Sequence, residues 1–154
     1  MRYIPRFTLI LMVICLLAGC GGGQKTGAKP GNPATPPEIL LGRDKVPKES
    51  LQWIESQTRT GQVVTKTFGT WDVYVVAMGE QRTGGYAVKI ENSGLDSGKT
   101  WIIVVKFIEP APGQMVTQAL TYPYEAFAIP KGVPAKVRLI DKNGQPTELQ
   151  IKAG

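Results

Sequence analysis

The strongest constraint on the fold is the pattern after residue 62, where short β-forming segments alternate with breaks rich in glycine and proline. Segments 71–78 and 100–108 are apolar on both faces of an extended strand, which favours interior strands. Segment 86–91 alternates apolar and charged residues, as a half-exposed strand does, and the turn formers at 94–98 join it to the next strand as a hairpin. Further strands are predicted at 63–68, 125–129, 135–141 and 148–152.

Asn143-Gly144, between the last two predicted strands, is a strong hairpin signal. One short helix is expected before the strands, because Pro47 to Ser50 can open a helix and Leu51 and Ile54 lie three residues apart. The sequence therefore predicts a mostly β domain, a small antiparallel β-sandwich or barrel with one short N-terminal helix.

The first twenty residues have the layout of an export signal. Arg2 and Arg6 supply positive charge, residues 7–17 are almost entirely apolar, and Leu17-Ala18-Gly19 leads into Cys20. The apolar run is shorter than the roughly 20 residues that cross a bilayer. Leu-Ala-Gly-Cys is similar to the lipobox of bacterial lipoproteins, which implies cleavage before Cys20 and acylation of that cysteine. An ordinary signal peptide followed by an incidental cysteine is the alternative.

This pattern divides the chain into a lipoprotein signal peptide (1–19), a lipidated cysteine with a disordered tether (20–37) and a single β-rich domain (38–154). Residues 21–37 contain no large apolar side chain, so we expect them to stay extended. An acylated Cys20 would insert into membrane lipid and hold the domain on the outer, extracytoplasmic face of the cell membrane.

Charge and cysteine content argue against nucleic-acid binding and against an intramolecular disulfide. Removal of the signal takes two of the 18 basic residues and leaves 16 against 12 acidic ones, and the basic residues are scattered. Nucleic-acid binding is therefore not expected. Cys15 lies in the signal peptide, so Cys20 has no partner for an intramolecular disulfide.

Residues that carry catalytic chemistry are scarce. The chain has no histidine, its one mature cysteine is at the acylation point, and its acids form no pattern of a shared site. The spacings of zinc sites and calcium loops are also absent from the sequence. We therefore expect no enzymatic activity, no catalytic residues, no metal and no cofactor.

Two loop segments are distinctive. Residues 79–86, Gly-Glu-Gln-Arg-Thr-Gly-Gly-Tyr, lie between two predicted strands, and residues 110–124 form a long loop rich in aromatic, amide and proline residues. Arg-Thr-Gly-Gly-Tyr followed by Pro-Ala-Pro-Gly, Val-Thr-Gln and Tyr-Pro-Tyr resembles the C-terminal domain family of PrcB, the protease complex subunit, over roughly residues 73–130. The resemblance implies an accessory protein that stabilises or assists an extracytoplasmic protease complex and is not itself a protease.

The resemblance also supplies candidate partner-binding residues. The candidates are Arg82, Thr83, Gly84, Gly85, Tyr86, Gln118, Tyr122 and Pro123. At the two glycines and the proline, the residue type could serve the geometry of the backbone alone.

Two alternative functions stay open at this point. Thr83 to Tyr86 is similar to a loop of chagasin-type cysteine-protease inhibitors, which implies inhibition through the same loops, although Gln81-Arg82 stands where those inhibitors have Asn-Pro. Exposed aromatic residues and a mild positive charge would also suit a module that binds cell wall or glycan.

Overall fold

The computed structural model describes residues 38–141 and 143–154. The predicted signal peptide (1–19) and tether (20–37) lie outside the described residues. Among those described, no helix is long and apolar enough to cross a membrane. The elements, in chain order, are β1 (Leu40–Leu41), a 3-10 turn (Lys48–Ser50), α1 (Leu51–Gln57), β2 (Val63–Phe68), β3 (Trp71–Ala77), β4 (Ala87–Leu95), β5 (Trp101–Ile108), β6 (Tyr124–Pro130), β7 (Ala135–Ile140), β8 (Pro146–Leu149) and β9 (Ile151–Ala153).

The strands form two sheets that pack face to face. The first sheet has the order β1-β6-β3-β2-β9, and the second has the order β4-β5-β7-β8. The predicted mostly β fold with one short helix is confirmed, and its two-layer arrangement is that of a sandwich.

The main core lies between the two sheets. Phe127 of β6 is fully buried and stacks on Tyr74 of β3, with ring centroids 4.9 Å apart. Inward-facing side chains of the second sheet, including Ile103 and Val105, close the core from the other side. Burial raises the pKa of the Tyr74 phenol above its ordinary value of 10.0, the charge of Asp72 adds to this effect, and a hydrogen bond with Thr65 opposes it.

A second, smaller core covers the outer face of the first sheet. Ile54 of α1 and Val46, which precedes the helix, are buried against alternate residues of β3 such as Val73 and Val75. Because β3 is covered on both faces, its side chains are buried in both directions, as the doubly apolar pattern predicts. The Ser50 hydroxyl donates to Pro47 O at 2.6 Å in the turn that opens the helix.

The arrangement differs from a purely antiparallel sandwich in two pairings. β9 runs parallel to β2, and β7 runs parallel to β5, and the members of each pair are separated in the chain by strands of the other sheet. The segment 148–152, predicted as one strand, is interrupted at Gln150: β8 ends in the second sheet and β9 joins the first. The prediction of a single strand was therefore wrong. The alternation of apolar and polar residues along a segment does not indicate where the chain leaves one sheet for the other.

Candidate functional site

The two distinctive loops are two of the connections that carry the chain from one sheet to the other. Residues 78–86 lead from β3 in the first sheet to β4 in the second, and residues 109–123 lead back from β5 to β6. Since β3 pairs with β6 and β4 pairs with β5, both ends of one loop lie beside both ends of the other. The fold therefore forces these segments to run side by side.

Backbone hydrogen bonds join residues 78–84 of the first loop to residues 117–123 of the second. Gln81 and Thr121 exchange two N–H to carbonyl bonds, each 2.9 Å long. Met78 N–H donates to Pro123 O, and Gly84 N–H donates to Thr117 O, both at 2.9 Å. The Thr121 hydroxyl donates to Thr83 O at 2.9 Å. These bonds continue the pairing of β3 with β6 beyond the ends of the strands and hold the loops as one unit.

The adjacent glycines of the first loop serve this close approach. A Cβ on Gly84 would lie 2.4 Å from the Thr117 hydroxyl oxygen, and Gly85 has φ +88°, where side chains are strained. A Cβ on Gly85 would also lie 3.0 Å from Pro110 Cβ and 3.1 Å from Val116 Cγ1. Backbone geometry therefore accounts for both glycines without a partner.

Tyr122 lies where the loops meet and has two side-chain partners. Its hydroxyl donates to Glu80 Oε2 at 3.1 Å, and the guanidinium carbon of Arg59 lies 4.8 Å from the centroid of its ring. Arg59 follows α1, so the helix end also contacts this site. A similar pair forms nearby, where the guanidinium carbon of Arg43 lies 5.7 Å from the centroid of the Tyr124 ring.

A cleft of about 220 Å³ opens between the start of β4 and the start of β6. Three of the candidates predicted from sequence, Tyr86, Tyr122 and Pro123, line it. It also contains residues that sequence reasoning missed: Arg43, Ala87, Val88, Tyr124 and Glu125. Tyr124 stands in the noticed Tyr-Pro-Tyr string, but nothing in the sequence points to Arg43, which is brought in by the fold.

Arg82 and Gln118 are placed differently from the other candidates. Both are exposed, and neither forms a hydrogen bond or ion pair with another described residue. Their side chains are not part of the cleft lining. The structure therefore brings Thr83, Gly84, Gly85, Tyr86, Tyr122 and Pro123 into one connected region and leaves Arg82 and Gln118 on its surface.

The tip of the second loop exposes large apolar side chains. Met115 is 98% exposed and Leu120 is 58% exposed, whereas Val116 between them is partly buried against the glycine loop. Met115 and Leu120 are thus two exposed apolar side chains on the loop whose last residues, Tyr122 and Pro123, line the cleft. Sequence reasoning noticed the loop but did not select these two residues.

The described part of the chain contains no cluster of His, Cys, Asp and Glu side chains that could hold a metal ion. What the region does offer is an exposed apolar tip, three tyrosines and two guanidinium groups, which are the residue types that dominate binding at protein interfaces.

Comparison with known proteins gives one family match. No curated protein matches the chain, and no solved structure matches it. Residues 73–130 match the model of the family described as PrcB C-terminal, and this match confirms the resemblance found in the sequence. The matched range includes both loops, β4, β5, β6 and most of β3.

Proposed function

We propose that this chain is a membrane-anchored lipoprotein that acts as a non-catalytic accessory subunit of an extracytoplasmic protease complex. Its partner binds the surface formed by residues 79–86 and 110–124, called here the paired-loop surface. The observation that carries the proposal is the exposure of Met115 and Leu120 on a loop that is fixed by backbone hydrogen bonds to its neighbour.

The fixed backbone matters for affinity. A loop that is already held in place loses little conformational freedom when a partner binds, so more of the contact energy appears as affinity. Met115 and Leu120 would then enter apolar pockets of the partner, while Tyr86 and Tyr122 border the contact with groups that combine an apolar ring and a hydroxyl. The family match over the same residues supports a protease complex as the source of the partner.

The contact is tested by photo-crosslinking in the native cells. A photoreactive residue at position 115 or 120 should capture one secreted protein, identified by mass spectrometry, and the same residue at position 51 is the control. Leu51 on α1 is also an exposed leucine, at 43%, but lies outside the paired-loop surface. Equal capture from all three positions would contradict the proposed contact.

Affinity is tested with matched variants. Met115→Ser combined with Leu120→Ser should weaken binding of the captured protein at least tenfold, about 1.4 kcal/mol, as truncation of buried anchors does. Leu51→Ser should leave it unchanged. Unaltered affinity of the double variant, with a normal circular dichroism spectrum, would place the binding surface elsewhere.

The accessory role is separated from inhibition by the activity of the captured protease. An accessory subunit should maintain or raise this activity and the lifetime of the complex, whereas an inhibitor should abolish it at equal stoichiometry. Stoichiometric loss of activity would replace the proposal with the chagasin-like alternative.

Anchoring is tested independently at Cys20. Growth with labelled palmitate should label the wild-type chain, and Cys20→Ala should lose both the label and the membrane association. Release of unlabelled wild-type protein from the membrane would contradict lipidation without affecting the paired-loop surface.

A further inference from the structure

The outer face of the second sheet is not covered by any described helix or strand. The first sheet is covered on its outer side by α1 and the segment before it, and the inner faces of both sheets enclose the main core. The second sheet has only its inner face in that core. An outward-facing surface of β4, β5, β7 and β8, called here the open face, therefore remains.

Aliphatic side chains occupy the middle of the open face. Because Trp101, Ile103 and Val105 point into the core, the residues between them point outward. Outward-facing Ile102 and Val104 are only partly buried. Gly94 of β4 pairs with Ile102 and has no side chain to cover it, so a groove of about 240 Å³ lies along this edge. The outward-facing aliphatic residues are Ile102, Val104, Ile108 and Ile140.

Basic side chains surround these aliphatic residues. Lys89 of β4 and Lys106 of β5 lie directly opposite each other, and both are exposed. Like charges in opposite positions of neighbouring strands repel each other. Neither forms an ion pair with a described residue, and the same holds for Arg138 of β7, which pairs with Val104.

Protection of a sheet edge explains only part of this pattern. A lysine on an edge strand such as β4 hinders pairing with another chain. Lys106 lies on β5, which has neighbours on both sides, so edge protection does not require it. The four strands of this sheet carry four basic residues, Lys89, Lys106, Lys136 and Arg138, against two acidic ones, which are Glu91 at the bulge of β4 and Glu148, paired with Lys136 at 3.2 Å.

We propose that the open face docks on the surface of an anionic membrane. Lys and Arg side chains reach outward to lipid phosphates while the aliphatic residues between them contact the upper part of the acyl layer. This inference rests on the proposed lipid anchor, because an acylated Cys20 keeps the face close to lipid and makes even a weak attraction effective. The 17 residues between Cys20 and Glu38 could span at most about 60 Å.

The test uses the mature acylated protein in vesicles of phosphatidylcholine, with or without phosphatidylglycerol. A single cysteine replaces Asn92, which faces outward on β4, and carries a dye whose emission responds to polarity. The matched control is Gln52→Cys, an exposed position on α1 at the opposite side of the sandwich. We expect a blue shift for the dye at position 92 in anionic vesicles only and none at position 52.

Two further measurements sharpen the result. The shift should disappear at about 1 M salt, where the screening length is about 3 Å. It should also disappear in Lys89→Glu combined with Lys106→Glu, and persist in Lys45→Glu combined with Lys131→Glu, which changes the net charge equally at exposed positions outside the open face.

The outcomes distinguish this proposal from the anchor on which it rests. Flotation of the protein with both kinds of vesicle reports insertion of the acyl chains, whatever the dye does. Flotation without a shift that depends on anionic lipid would overturn the docking proposal and leave the anchor intact. A shift that appears only when an acidic partner protein is added would also overturn it, and would assign the open face to that protein.

Discussion

The hydroxyl of Tyr122 donates a hydrogen bond of 3.1 Å to Glu80, so side chains as well as backbone join the two loops of the paired-loop surface. The residues are 42 positions apart in the chain. The arginine at the end of the helix segment, Arg59, covers the ring of the same tyrosine. Tyr122 thus connects both loops with the helix side of the first sheet.

Tyr122→Phe should cost little stability, because it removes the bond to Glu80 but keeps the ring beneath Arg59. The bond is exposed, so we expect a loss below about 1 kcal/mol in the free energy of unfolding, measured with urea. Tyr122→Ala should cost more, because it also removes the contact between ring and guanidinium. Equal losses in the two variants would mean that the ring contact contributes nothing.

Gly85→Ala should destabilise the domain more than Gly113→Ala. Both glycines have positive φ, +88° and +80°, so both substitutions carry the backbone strain of roughly 1–2 kcal/mol. Only the Cβ at position 85 meets close neighbours, because nothing lies within 4 Å of a Cβ at position 113. The free energy of unfolding of both variants is measured with urea, and the difference between their losses gives the cost of the contact with Pro110 and Val116. Equal losses of stability would show that this contact has no effect.

Phe127→Ala should lower the free energy of unfolding by about 3–5 kcal/mol, the range for a buried phenylalanine truncated to alanine. Phe127 is completely buried in the core, and its truncation also leaves the Tyr74 ring without its stacking partner. Phe127→Leu should cost less, since it retains most of the buried volume. The stability of both variants is measured by thermal and urea unfolding. A loss of only about 1 kcal/mol in the free energy of unfolding for Phe127→Ala would contradict the tight packing of this side chain.

Alkaline pH should destabilise the domain through Tyr74. Its pKa is raised in the folded state, chiefly by burial, so the folded protein retains this proton at a pH where the unfolded chain has begun to lose it. The stabilising contribution is complete below the unfolded pKa of about 10 and decreases as the pH rises from there through the folded value.

Tyr74→Phe provides the control for this effect, because phenylalanine keeps the ring and has no proton to lose. The difference in unfolding free energy between the wild type and Tyr74→Phe should change with pH above about 10 and stay constant at neutral pH. A constant difference over the whole range would show that Tyr74 titrates equally in both states.

Much of the fold could be predicted from short-range patterns. The doubly apolar run containing Val73 and Val75 indicated an interior strand, and β3 is the central strand of its sheet. Asn143-Gly144 indicated the hairpin of β7 and β8, whose turn has Gly144 at φ +80°. The family resemblance across residues 73–130 was also visible in the sequence, because it depends on short strings and their order.

The sequence by itself determined the β-rich fold, the short helix, the punctuation of the strands and the two loops with their glycines, because each depends on residues close together in the chain. Only the tertiary structure decided that β9 pairs with β2, that Arg43 and Arg59 meet the tyrosines, and that Lys89 faces Lys106. Such contacts depend on which distant segments become neighbours when both sheets bury their apolar faces, and local alternation does not specify that choice.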